Sequence, residues 1–173
     1  MNYSTIKWCD IANGNGVRTS LFVSGCRRHC KGCFNDSAWD FDAGEPFTDG
    51  EEYAILKSLD DLYVDGLSVL GGEPLEPENV PAVEHLLARV KDELPDKDVW
   101  MWTGNRYEDV ANMPVLQYVD VLVDGAFIES QKDITLRFRG SANQRIIDLN
   151  ETRKAGSLVL WDDGVSRKWK ESK

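Results

Sequence analysis

Three of the four cysteines in this chain crowd into eight residues, Cys26-Arg27-Arg28-His29-Cys30-Lys31-Gly32-Cys33. Thiolates are soft ligands that select zinc, copper(I) or iron–sulfur clusters. The spacing C-x3-C-x2-C supplies three of them and stops one short of a closed four-ligand set. A structural zinc is fully ligated by protein, whereas a catalytic metal keeps one position for water or substrate. A cubane iron–sulfur cluster on three cysteines would likewise keep one iron open to a small molecule, which points to chemistry rather than scaffolding.

The elements that must position these thiols can be read from turn signals and periodicity. Val17 to Val23 is rich in β-branched and apolar residues, follows the turn Asn13-Gly14-Asn15-Gly16 and ends at Ser24-Gly25, so it is a strand that delivers the cysteines. Thr48-Asp49-Gly50-Glu51 has capping-box spacing, and Ile55, Leu56, Leu59 and Leu62 follow at helical intervals. Leu67 to Leu70 is a short apolar strand that breaks at Gly71-Gly72-Glu73-Pro74. Val83, Leu86, Leu87, Val90 and Leu94 form a second helical stripe, with Asn79 as its cap, Pro81 in its first turn and His85 on its solvent side.

Asp98 to Trp102 reads as a third strand closing at Thr103-Gly104, Tyr107 to Met113 as a helix, and Val119 to Val123 as a fourth strand stopping at Asp124-Gly125. Trp100 and Met101 are expected to pack and Trp102 to line a pocket mouth. Strands alternating with helices favour right-handed parallel βαβ units, hence an α/β fold with a mostly parallel sheet, an incomplete (β/α) barrel. The cysteines, Gly71-Gly72-Glu73-Pro74, Trp102-Thr103-Gly104 and Asp124-Gly125 each follow a strand. All four therefore fall at the carboxyl edge, where such folds bind ligands.

The 173 residues suffice for one domain spanning 1–173, and 42% hydrophobic with 10% aromatic residues is ordinary for a globular chain. The first residues show no basic segment followed by an apolar core, and no run of eighteen apolar residues occurs. A cytoplasmic, reducing location without membrane contact is expected, and it suits clustered free thiols. A net charge of −10 opposes nucleic-acid binding. Arg27, Arg28 and Lys31 make the cysteine loop locally basic, either as solvated side chains or as an attraction for anions or a redox partner.

The three cysteines after one strand and Gly71-Gly72-Glu73-Pro74 after the next resemble the radical S-adenosylmethionine superfamily. Within it, the chain is similar over nearly its full length to the glycyl-radical activases that serve anaerobic ribonucleotide reductases. Asn13-Gly14-Asn15-Gly16-Val17-Arg18, Cys33-Phe34-Asn35, Asn79-Val80-Pro81, Trp102-Thr103-Gly104, Val123-Asp124-Gly125 and Arg139 to Arg145 match in order. Asn15 departs from the proline usual there, and the aromatic residue follows Cys33 where many superfamily members have it just before.

The resemblance implies a [4Fe-4S] cluster on Cys26, Cys30 and Cys33 within a radical S-adenosylmethionine barrel. The unique iron would be chelated by the methionine end of S-adenosylmethionine. Gly71, Gly72 and Glu73 would meet the methionine amino group, with Glu73 able to neutralise it. Gly32, Cys33 and Phe34 would support adenine through backbone, and Thr103 and Asp124 would complete the cofactor site, Asp124 either capping a turn or binding ribose hydroxyls. One-electron reduction by a flavodoxin- or ferredoxin-type donor would cleave the cofactor to methionine and a 5′-deoxyadenosyl radical, which takes hydrogen from a glycine of the reductase large subunit. No acid–base pair is required; cluster and cofactor carry the chemistry.

Two other classes compete. A radical enzyme acting on a small molecule, such as a deazaguanine-forming enzyme, would share the cysteines but add dedicated pocket side chains. A zinc-binding interaction module would need His29 or Cys9 as fourth ligand, although zinc sites normally pair two ligand couples and no second couple exists here. Cys9 otherwise reads as an ordinary half-buried cysteine.

Overall fold

The computed structural model describes residues 1–162. Among the described residues seven strands form one open sheet: β1 (Asn2–Asp10), β2 (Arg18–Val23), β3 (Glu45–Pro46), β4 (Gly66–Gly71), β5 (Asp98–Trp102), β6 (Val121–Asp124) and β7 (Arg145–Asp148). Their order is β3-β1-β2-β4-β5-β6-β7. The four central strands β2, β4, β5 and β6 run parallel, as the alternation predicts. Antiparallel strands flank them: β1 and β3 on one side, β7 on the other. The flanking strands and a short helix α4 (Leu149–Ala155) had no clear sequence signal; β1 is mostly exposed and carries no clean alternation.

Helix α1 (Asp49–Leu59) starts on the expected capping box: Gly50 donates its N–H to Thr48 Oγ1 at 3.2 Å, and Thr48 N–H reaches the Glu51 carboxylate at 2.9 Å. Leu62, expected on its apolar stripe, is instead fully exposed. The helix stops at Leu59, the chain turns through Asp60-Asp61, and Val64 takes the buried place. Helix α2 (Val80–Glu93) buries Val83, Leu86, Leu87 and Val90 as predicted and leaves His85 exposed.

Asn79 stands at the N-cap of α2 but its side chain does not cap. Its amide donates to the carbonyls of Ser24 (2.9 Å) and Glu73 (3.0 Å), tying the cysteine strand to the glycine loop. Helix α3 spans only Tyr107–Val110 rather than reaching Met113. Pro114 forces the residue before it out of helical geometry, and Met113 is extended.

The two sheet faces divide the labour. Leu21, Val23, Leu67, Val69, Val99, Met101 and Leu122 pack under α1 and α2 in the main core. Ser68, Leu70, Trp100, Trp102, Val121 and Val123 share the other face by register, covered by Phe138, Ile146 and Trp161. Arg18 is fully buried on that second face, ion-paired to Asp98 at 2.5 Å and bonded to Ser68 Oγ and the Leu67 carbonyl. No helix among the described residues is long and apolar enough to cross a membrane.

Candidate cluster and cofactor site

Strand β2 hands the chain to Ser24-Gly25, and a returning 3-10 turn at Asp36–Ala38 fastens the start of the cysteine loop: Gly25 N–H donates to Ala38 O (2.8 Å) and Cys26 N–H to Trp39 O (3.0 Å). The loop then folds on itself, with Cys33 N–H on Cys30 O at 3.1 Å. All four cysteines are free thiols; Cys26 is buried and Cys30 and Cys33 are half-buried. Main-chain N–H groups aim at the sulfurs. Asn35 N–H donates to Cys33 Sγ at 3.4 Å, and those of Arg28 and His29 reach Cys26. Burial pushes the Cys26 thiol up, and these two donors oppose it by favouring the thiolate.

The loop after β4 interlocks with the cysteine loop at backbone level. Gly72 N–H donates to Val23 O (2.7 Å) and Glu73 N–H to Gly25 O (2.8 Å). A Cβ on Gly72 would lie 2.5 Å from the Gly25 carbonyl oxygen, and Gly71 adopts φ +110°, so neither position tolerates a side chain. The glycines are thus required by contact between loops. Glu73 is buried at 3% exposure, and its carboxylate accepts from Thr103 Oγ1, Leu75 N, Gly104 N and Arg28 Nε. Burial pushes its pKa up, while those donors pull the other way.

One cavity at the carboxyl edge is lined by Cys26, Cys30, Cys33, Phe34, Gly71, Gly72, Glu73 and Thr103, so eight of the ten residues expected at the site converge. Gly32 and Asp124 lie outside this lining. Gly32 turns toward Glu129, whose Oε1 stands 2.8 Å from where a Cβ would be. Asp124 is 1% exposed; it accepts the Tyr107 N–H at 2.8 Å, capping α3, and pairs with the Arg145 guanidinium.

The cavity also takes Arg28 of the basic cysteine loop, Gln144 of segment 139–145, Trp102, and Trp39 and Phe127, the last two marked by no local pattern. Gln144 belongs to a segment pinned onto the turn after β6. It accepts from Gly140 N (2.8 Å) and donates to Gly125 O (3.0 Å), while Asn143 donates to Ala126 O (2.8 Å).

The local positive charge of the loop is largely cancelled. Arg27 pairs with Glu76 and Glu78, Arg28 with Glu73, and Lys31 with Glu129 at 3.0 Å.

A family model described as a 4Fe-4S single cluster domain matches residues 12–147. The chain is 45% identical over 148 residues to the anaerobic ribonucleoside-triphosphate reductase-activating protein of Escherichia coli K12, covering 83% of this chain and 96% of that one. The Vibrio cholerae protein of that name is 47% identical over 150 residues, covering 84% and 97%. The one from Enterobacteria phage T4 is 41% identical over 146 residues, covering 84% and 93%. The chain belongs to this family of reductase-activating proteins.

For a member of this family, the cluster must be held by the residues present, and the donor set suits it. Three thiols open on one cavity, and backbone N–H groups directed at two of the sulfurs stabilise thiolate charge as they do around iron–sulfur centres. The zinc alternative would need His29 or Cys9 as its fourth ligand. His29 lies flat on Trp39, ring centroids 4.5 Å apart at 7°. Cys9 is exposed rather than half-buried, has φ +55°, and sits beside Tyr63 near the start of β2. The length of that six-residue strand, about 20 Å, separates it from Cys26.

Proposed function

We propose that this chain activates an anaerobic ribonucleotide reductase by placing a glycyl radical on its large subunit, using a [4Fe-4S] cluster and S-adenosylmethionine. The observation that carries the reading is the convergence, in a member of the activating-protein family, of three free thiols with the Gly71-Gly72-Glu73 and Thr103 loops on one cavity. Cys26, Cys30 and Cys33 hold the cluster, and the open sheet is an incomplete (β/α) barrel of the radical S-adenosylmethionine type, one domain throughout. When bound, the reduced cluster and its cofactor supply the one-electron chemistry that takes a hydrogen atom from a reductase glycine.

The chain's own residues bind, orient and exclude water. In this reading Cys33 and Phe34, with the neighbouring Gly32 backbone, receive the adenine end of the cofactor, and the Gly71-Gly72 main chain its methionine end. Trp39, Trp102 and Phe127 give the cavity an apolar wall that limits water, and Phe34, itself largely exposed, borders it. Asp124 supports this edge by holding Tyr107 and Arg145. The electron donor is a flavodoxin- or ferredoxin-type protein, and the setting is the cytoplasm.

The test mixes anaerobically reconstituted, reduced protein with S-adenosylmethionine and the cognate large subunit. A glycyl radical in the electron paramagnetic resonance spectrum is the expected result. Cofactor cleavage without that signal would reject the protein substrate and favour a small-molecule radical enzyme.

A further inference from the structure

Glu73, Thr103, Asn105 and Arg28 form a closed polar ring across three loops. Glu73 Oε1 accepts from Thr103 Oγ1 at 2.8 Å and from Leu75 N at 3.1 Å; Oε2 accepts from Gly104 N at 2.8 Å and from Arg28 Nε at 3.3 Å. Asn105 returns two bonds to Thr103 Oγ1, from its main-chain N (3.0 Å) and its Nδ2 (2.8 Å), and Arg28 closes the ring on Asn105 Oδ1. A hydroxyl has one proton and two acceptor sites. Both acceptor sites of Thr103 are filled by Asn105, so its proton is committed to Glu73. An ionised carboxylate offers about four acceptor sites, and four donors from the protein already occupy them.

Resting on the cofactor reading above, we propose that Glu73 is a positioning residue. It locks the β4 loop, the β5 loop and the cysteine loop in one register, with Thr103 as its partner, and is not the counter-charge of the cofactor's ammonium. Arg28 stands two residues after Cys26 and two before Cys30, so it carries this restraint into the cluster loop.

Amide hydrogen exchange on cluster-loaded protein without S-adenosylmethionine tests the ring before any cofactor binds. Glu73→Gln presents an amide NH2 to donors wherever it is turned. Exchange at whichever of the Gly104 and Leu75 amides faces that NH2 is expected to rise about tenfold or more, the factor for losing a hydrogen bond to a charged acceptor, while α2 keeps its native rates. Thr103→Val leaves the Glu73 charge in place, and it is expected to loosen Gly104 and Asn105 in the same way; it serves if Glu73→Gln does not fold.

In steady-state formation of 5′-deoxyadenosine, both variants are expected to lower kcat about tenfold and leave KM for S-adenosylmethionine within about threefold. Unchanged exchange in Glu73→Gln together with a raised KM would make Glu73 the ammonium's partner and overturn the proposal. Wild-type protein that carries a cluster but never cleaves the cofactor would reject the cofactor reading instead, and the exchange measurement would still decide the ring.

Discussion

Burial and backbone donors act in opposite directions on Cys26: desolvation favours the thiol, while the N–H groups of Arg28 and His29 favour the thiolate that iron requires. The loop is therefore built to accept charge at sulfur once metal arrives. Replacing Cys26, Cys30 or Cys33 with alanine should abolish the cluster absorbance at about 400 nm after anaerobic reconstitution. Cys9→Ala should keep it, because Cys9 lies at the other end of β2; loss of the cluster in that variant would give Cys9 a ligand role.

At this scale the cysteines were legible because three thiols within eight residues have few uses. The partners of Asp124 and Glu73 were not, since Arg145 comes from β7, Thr103 and Arg28 come from other loops, and no local pattern joins them. Arg18 shows the same limit. It reads as one residue of a strand, yet it is fully buried against Asp98 and Trp100.

Among the elements, α2 is the clearest case of period dictating structure. Its stripe at 83, 86, 87 and 90 is fully buried, whereas the polar face carrying His85 and Arg89 meets Glu52 of α1. Leu86→Ala should destabilise the protein by about 2–5 kcal/mol, combining lost transfer energy with a residual cavity, as read from chemical denaturation. A cost under about 1 kcal/mol would mean that the helix packs less tightly than its burial implies.

Where elements escaped reading, the cause was missing periodicity or a stronger local constraint. β1 and β7 are flanking strands whose order comes from pairing with β2 and β6 rather than from their own composition. Pro114 overrode a helical stretch that composition would have allowed to reach Met113.

For the molecule as a whole, carboxylate–arginine pairs fasten segments that border the site. Arg27 joins the cysteine loop to Glu76 and Glu78, and Arg145 joins β7 to Glu108 and Asp124. The hydrogen bonds from Arg27 and from Arg145 hold Glu78 and Glu108, respectively, down at about 2, against an ordinary value of 4.5. Carboxylates depressed in the folded state add stability that is complete above their unfolded value and disappears as pH falls through the folded one. Melting temperature should therefore decline from about pH 4.5 toward pH 2, and added salt should weaken the effect because these pairs are exposed. A flat profile across that window would show that the pairs contribute nothing.

Thiol type and spacing, the four parallel strands and their carboxyl-edge loops follow from local properties of the chain: which residues stand near each other, which turn, and at what apolar period. The side-chain partners at the site come from the folding of distant segments onto one edge. Glu73, Thr103 and Asp124 each read as a cofactor contact in isolation, and each has its side chain bonded to residues of another element or loop. A hydrogen-bonding group has a fixed number of partners, and the fold, by choosing which loops meet, assigns them.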